Sequence, residues 1–309
     1  MQSRPLKIGT RGSPLALWQA NRVRDLLMVA HGLDAGEIEV CTFKTSGDRI
    51  QDKALREFGG KGLFTKELED ALLAGEIHMA VHSLKDMPTV LPDGLAISCV
   101  LEREDARDAF LSPVALTLSG LPEGARVGTS SLRRQAQVRK LRPDLEVVEF
   151  RGNVETRLRK LSEGVADATL LAVAGLKRLG MEDRITAFME PEAMLPAIAQ
   201  GAICVETRAQ DGQTRTLLSR LDHGETALCV AAERAFLAEL DGSCRTPIAG
   251  LARLQGKRLL FRGQILSPDG AQSYETARDG PAAEGAAMGR DAARELLGRA
   301  GPGFLAGLG

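Results

Sequence analysis

The residues best equipped for chemistry stand where apolar runs give way to polar ones. Ile77, Met79 and Val81 alternate with His78, Ala80 and His82, the period of a strand with two unlike faces. Pro88 cannot donate to a sheet ladder, so this strand stops at or before Met87. Ser83, Lys85 and Asp86 therefore lie at or just past its carboxyl end, the edge at which open α/β sheets bind ligands. Taken alone, a lysine beside an aspartate is ordinarily a solvated pair.

A second reactive candidate is a thiol. Cys41, Cys99 and Cys204 fall in alternating apolar runs and Cys229 in a helical one, as small buried hydrophobes do. Cys244 instead follows a helix in the loop Ser243-Cys244-Arg245-Thr246-Pro247, where exposure and a neighbouring cation both favour the thiolate. Five cysteines without a Cys-x-x-Cys pair argue against a disulfide framework and a zinc site. The four histidines show no metal-ligand spacing, and only His82 lies near a candidate site.

Arginines gather at strand-to-helix turns. Arg11 precedes Ser13-Pro14, a good helix N-cap and first residue, and so stands beside exposed N–H groups that suit an anion. Thr129-Ser130-Ser131 opens a helix over 132–141 that carries Arg133 and Arg134 in its first turn, where positive charge opposes the helix dipole. Arg151-Gly152-Asn153 opens a helix over 154–164 with Arg157 in it, and the run 174–178 ends in Arg178. A bound anion would account for cations at the wrong end of several helices. The run Phe58-Gly59-Gly60-Lys61-Gly62 lacks the spacing of a phosphate loop and suits a mobile flap better.

These runs need elements to position them. Strands are expected over 7–10, 37–44, 95–101, 125–128, 147–150 and 170–173, with helices over 15–28 and 64–74. Residues 102–108 read as a charged connector and a domain boundary. The C-terminal region reads as a small α+β domain, with helices over 225–240 and 283–297 around strands over 248–255 and 258–266. The tail after residue 297 is glycine-rich and expected to fray.

The length of 309 residues suits two or three domains with real cores. A net charge of −1 disfavours general binding to nucleic acid or to a membrane surface. No apolar run is long enough to cross a membrane, and a strand begins too early to leave room for a signal peptide. The expected compartment is the reducing cytoplasm.

The run His82-Ser83-Leu84-Lys85-Asp86-Met87-Pro88, with Leu91-Pro92-Asp93-Gly94 after it, resembles the signature of the hydroxymethylbilane synthase (porphobilinogen deaminase) family. So do Val127-Gly128-Thr129-Ser130-Ser131-Leu132-Arg133-Arg134-Gln135, Arg151-Gly152-Asn153-Val154-Glu155-Thr156-Arg157, Ala174-Gly175-Leu176-Lys177-Arg178 and Pro196-Ala197-Ile198-Ala199-Gln200-Gly201. The family usually has glycine where this chain has Ala199, and often glycine where it has Ser243.

The resemblance implies an α/β fold of two periplasmic-binding-protein-like lobes with a third, smaller α+β domain. Domain 1 would comprise residues 1–103 plus 200–219, domain 2 residues 104–199 and domain 3 residues 220–309. It also implies a transferase that condenses four porphobilinogen molecules head to tail, releasing ammonia, on a dipyrromethane primer held by a thioether to Cys244. Each pyrrole carries an acetate and a propionate, so Arg11, Ser13, Lys61, Ser83, Lys85, Thr129, Ser130, Ser131, Arg133, Arg134, Arg151, Arg157, Arg178 and Gln200 are expected to hold a polyanion. Asp86 is expected to stabilise positively charged pyrrolic species. No metal is implied, and the family usually acts as a monomer. Two other readings stand beside this one. A non-catalytic binder of a small polyanion would leave Cys244 unexplained, and a cysteine hydrolase would need His223 beside Cys244.

Overall fold

The computed structural model describes residues 5–45, 65–242, 246–301 and 303–304. The chain forms two compact units, Met1–Glu104 with Ala202–Ala227, and Asp105–Gly201 with Leu228–Gly309.

The first unit opens with β1 (Leu6–Arg11) and α1 (Pro14–His31), joined as expected by Ser13, whose hydroxyl accepts the Ala16 N–H at 3.3 Å. β2 (Ile38–Phe43), α2 (Lys66–Leu73), β3 (Met79–Ser83) and β4 (Leu95–Val100) follow. The chain then enters the second unit with β5 (Asp108–Leu111), β6 (Arg126–Gly128), α3 (Leu132–Leu141), β7 (Glu146–Val148), α4 (Val154–Ser162), β8 (Ala168–Ala172), α5 (Val173–Arg178) and β9 (Ala187–Met189). It returns to the first through β10 (Ile203–Arg208) and α6 (Gly212–Leu218). That return was expected from the family resemblance alone.

The two five-stranded sheets share one plan, β2-β1-β3-β10-β4 and β7-β6-β8-β5-β9. In each, the fourth strand is the first one after the chain passes from one unit to the other, and it runs antiparallel to its neighbours. The remaining neighbours in the first three positions are parallel, so their carboxyl ends share one edge. Ile8, Val23, Leu27, Met79, Val81, Val205 and Leu218 form the core of the first sheet; Phe110, Val127, Val138, Leu170 and Met194 belong to that of the second.

The α+β domain expected at the C-terminus has α7 (Gly224–Glu239), a meander of β11 (Ile248–Gln255), β12 (Arg258–Leu266) and β13 (Ser273–Pro281), and α8 (Gly285–Ala300). Phe236 of α7 meets Phe261 of β12 edge to face, with ring centroids 5.1 Å apart. Gly289 lets α8 lie close against α7, since a side chain there would run into the Ala232 carbonyl.

Three strands escaped the sequence reading. β5 begins with a charged residue and is buried throughout, so it lacks alternation; β9 has only three residues. β13 is a polar edge strand, a position where its terminal Pro281 is tolerated. The two-faced reading of the Met79 strand is also corrected. β3 lies mid-sheet and residues 79–82 are all buried, so neither face meets solvent. His82 Nε2 lies 3.2 Å from Oε2 of buried Glu206, on the neighbouring β10.

Ala199, where the family usually has glycine, adopts a left-handed conformation with φ 57°. Its N–H donates to Glu233 Oε2 at 2.6 Å, while Glu233 Oε1 accepts the Ala252 N–H at 2.8 Å, so α7 ties the turn to β11. Strain at such a residue is on the order of 1–3 kcal/mol. In Ala199→Gly its relief is offset by added chain entropy of ~0.4–1 kcal/mol and loss of a buried methyl at ~0.8 kcal/mol. Urea unfolding is expected to find Ala199→Gly within about 1 kcal/mol of the parent and Ala199→Val destabilised by more than about 2 kcal/mol, because β-branching is poorly tolerated at positive φ. Equal stability of all three would contradict the strained turn.

Candidate anion and catalytic site

β1 and β3 are adjacent and parallel, so their carboxyl ends lie on one edge of the first sheet. Arg11 closes β1, and Ser83 closes β3. A single 3₁₀ turn, Leu84–Asp86, then carries Lys85 and Asp86. Its backbone is pinned by the Leu84 N–H to Ala202 O at 3.0 Å and the Met87 N–H to Leu84 O at 3.2 Å. Leu84 and Met87 are buried, which leaves Lys85 half-buried and Asp86 exposed. Gln19, buried on α1, donates from Nε2 to Ser83 Oγ at 2.8 Å. Ser13 spends its hydroxyl as an acceptor for the helix cap.

The second sheet gathers its cations in the same way. Its parallel strands β7, β6 and β8 end on one edge, where Arg151, the Thr129–Ser131 run and α5 follow them. Thr129 is buried and its Oγ1 accepts the Ser131 N–H at 3.2 Å. Ser130 Oγ accepts the Phe150 N–H at 3.2 Å, and Ser131 caps α3 by accepting the Arg134 N–H at 3.5 Å. Asn153 is the N-cap of α4, as expected, and accepts the Thr156 N–H at 2.9 Å. Arg151 is half-buried beside Glu149; Arg157 Nε donates to Gly152 O at 2.9 Å. Arg178 is buried and donates to Gly201 O at 2.6 Å.

Arg133 and Arg134 are only 4% exposed, and both pair with a residue the sequence reading had assigned to a connector. Asp108 Oδ2 accepts from Arg133 Nη1 at 2.8 Å, while Oδ1 accepts from Arg134 Nη2 at 2.7 Å and from Gln200 Nε2 at 2.8 Å. Because β5 runs antiparallel to β8, its first residue lies opposite Ala172, on the edge where the parallel strands end. Full burial alone would raise the Asp108 pKa, but the two guanidiniums hold it well below the usual carboxylate range. Burial likewise lowers the pKa of Arg133, against the opposing attraction of Asp108. Two cations against one anion leave a unit of positive charge, and the buried Nε of each arginine lacks a hydrogen-bond acceptor. This surplus of one charge fits one carboxylate of a bound group such as a dipyrromethane.

Cys99 and Cys204 are buried on strands, Cys229 is buried on α7, and Cys41 is half-buried. Burial pushes the Cys99 thiol up to about 12 and also raises that of Cys41, so neither favours the thiolate. His223 Nδ1 lies 2.8 Å from Thr226 Oγ1, at the start of α7. Lys61 and Cys244, together with the glycine-rich run 58–62 and Ser243, lie outside the described residues. Among the described residues no cluster of histidine, cysteine and carboxylates could hold a metal ion, and no helix is long and apolar enough to cross a membrane.

Fold and site together define an α/β protein with cations collected at the carboxyl edges of two equivalent sheets. Residues 6–216 match the family model "Porphobilinogen deaminase, dipyromethane cofactor binding domain", and residues 227–298 match "Porphobilinogen deaminase, C-terminal domain". The chain belongs to the porphobilinogen deaminase family. It is 61% identical over 296 residues to the porphobilinogen deaminase of Paracoccus denitrificans (strain Pd 1222), covering 96% of this chain and 95% of that protein. It is 59% identical over 298 residues to that of Nitrobacter hamburgensis (strain DSM 10229 / NCIMB 13809 / X14), covering 96% and 94% respectively. Among solved structures it is similar to a periplasmic substrate-binding protein of an ABC transporter from Coxiella burnetii, with a TM-score of 0.45 and 14% identity over 74% of this chain and 96% of that one.

Proposed function

We propose that this protein is a transferase that condenses four porphobilinogen molecules head to tail, releasing ammonia at each step, to give the linear tetrapyrrole hydroxymethylbilane. The observation that carries this reading is the surplus of buried guanidinium at Arg133 and Arg134 over Asp108 in a chain of net charge −1. Such a surplus is costly unless an anion complements it.

Cys244 holds the dipyrromethane through a thioether, a bond that resists hydrolysis. When bound, the dipyrromethane supplies the nucleophilic pyrrole carbon from which the product is built. Arg133 and Arg134, with Thr129, Ser130, Ser131, Arg151, Arg157, Arg178 and Gln200, anchor its acetate and propionate groups and orient them. Arg11, Ser13, Lys61, Ser83 and Lys85 hold carboxylates of the incoming substrate. The Asp86 carboxylate faces the positive charge that develops as the amine leaves, so the transition state is stabilised more than the ground state. Preorganised cations and one preorganised anion thus do the work.

We further read residues 1–103 with 200–219 as the lobe carrying the catalytic aspartate, 104–199 as the anchoring lobe and 220–309 as the domain bearing the cofactor cysteine. The protein acts in the cytoplasm as a monomer on a small-molecule substrate. Purified protein given porphobilinogen should release ammonia as substrate is consumed, and its mass should climb in a ladder one ring apart. Substrate left intact, with no ammonia and no ladder, would refute the assignment.

A further inference from the structure

We propose that Asp108 is a positioning residue, which fixes the guanidiniums of Arg133 and Arg134 and leaves one of their two positive charges to a bound carboxylate; this rests on the function proposed above. Asp108 is fully buried and both its oxygens are occupied, by Arg133 Nη1 at 2.8 Å on one and by Arg134 Nη2 at 2.7 Å and Gln200 Nε2 at 2.8 Å on the other. Each arginine has a second anchor on a backbone carbonyl. Arg133 Nη1 also donates to Leu195 O at 2.8 Å, and Arg134 Nη1 donates to Leu170 O at 2.9 Å. Gln200 Nε2 in turn reaches Ala106 O at 2.8 Å, so the turn before β10 and the start of β5 are tied to the same carboxylate.

Two features separate this role from ordinary packing. A purely structural ion pair needs one cation, whereas Asp108 has two, and the charged groups that act on Arg133 are Asp108 and Arg134. The excess charge is therefore unbalanced within the cluster. Second, the long arginine side chains have many rotamers, and anchoring at two points removes that freedom before any ligand arrives. Asp108 acts through the arginines and needs no contact with substrate.

The test compares Asp108→Asn and Asp108→Glu with the parent protein, reading cofactor loading by intact mass, thermal midpoint, and KM and kcat for porphobilinogen. Asp108→Asn is expected to load less than about a tenth of the parent's cofactor, and its loaded fraction should show kcat lowered about tenfold or more, with a smaller change in KM, because the cofactor these arginines orient carries the nucleophile. Asp108→Glu keeps the charge but displaces it by one methylene, so its loading and kcat should fall between the two. It gives the same reading should Asp108→Asn fail to fold. A structural role alone would lower the midpoint and leave loading and the kcat of the loaded fraction unchanged, and either folded variant behaving so overturns the proposal. A parent protein that carries no added mass and releases no ammonia would count against the functional reading itself. A loaded, active parent beside unchanged variants would count against Asp108 alone.

Discussion

Asp86→Asn is expected to fold and acquire its cofactor as the parent does, yet turn over porphobilinogen about 10²–10³-fold more slowly. The substitution is nearly isosteric, and nothing in the turn depends on the Asp86 charge to hold it. The turn is fixed by burial of Leu84 and Met87 and by the backbone bond from Leu84 N–H to Ala202 O. Asp86 itself is exposed at the carboxyl edge of the sheet, one residue beyond Lys85. What asparagine lacks is the full negative charge that stabilises a pyrrolic cation. Single-turnover ammonia release would measure the chemical step, and urea unfolding would report the fold. Near-normal turnover would remove Asp86 from the mechanism.

Arg134→Leu should have the largest effect on both stability and anchoring, whereas Arg151→Leu should affect anchoring alone. Removing Arg134 leaves the Leu170 carbonyl and Asp108 Oδ1 short of a donor in a buried site, a loss of about 2–5 kcal/mol. Arg151 pairs with exposed Glu149, a contact worth under about 1 kcal/mol of stability. Burial makes Arg134 matter for folding as well as for anchoring. Acid unfolding separates them further. Because the Asp108 carboxyl is held below its unfolded value of ~3.9, its stabilising contribution is fully present above that pH and is lost as pH falls through the lower folded value. Arg134→Leu should therefore lose less stability on acidification than Arg151→Leu does. Parallel acid profiles, with full cofactor loading in both variants, would refute the anion-site reading of these turns.

Much of the molecule was legible because its local rules agree with its fold. Ser13-Pro14 and Asn153 start helices as their types require, and the helix over 132–141 and the strands over 248–255 and 258–266 have the expected limits. The site edges were readable from Pro88 and from arginines placed against helix dipoles. Asp108 was not readable, because its role depends on β5 running antiparallel and so delivering a strand's first residue to the edge where its neighbours end. No local pattern encodes that pairing. The burial of His82 was missed for a related reason: neighbouring Glu206 arrives on β10, which is distant in sequence and adjacent in the sheet. Acidic residues that begin apolar runs in a chain rich in clustered arginines are the signal that could have found Asp108.

The most direct test of the central claim is the intact mass of the purified protein, followed by peptide mapping. The protein should be heavier than its sequence by two condensed porphobilinogen-derived rings, and the added mass should map to the peptide containing Cys244. Cys244→Ser should lack it and turn over poorly, since a hydroxyl is a much weaker nucleophile near neutral pH. It should also be less stable, having lost an anion that binds only the folded state. Added mass on Cys229 or Cys204, or active protein with no added mass, would contradict the account.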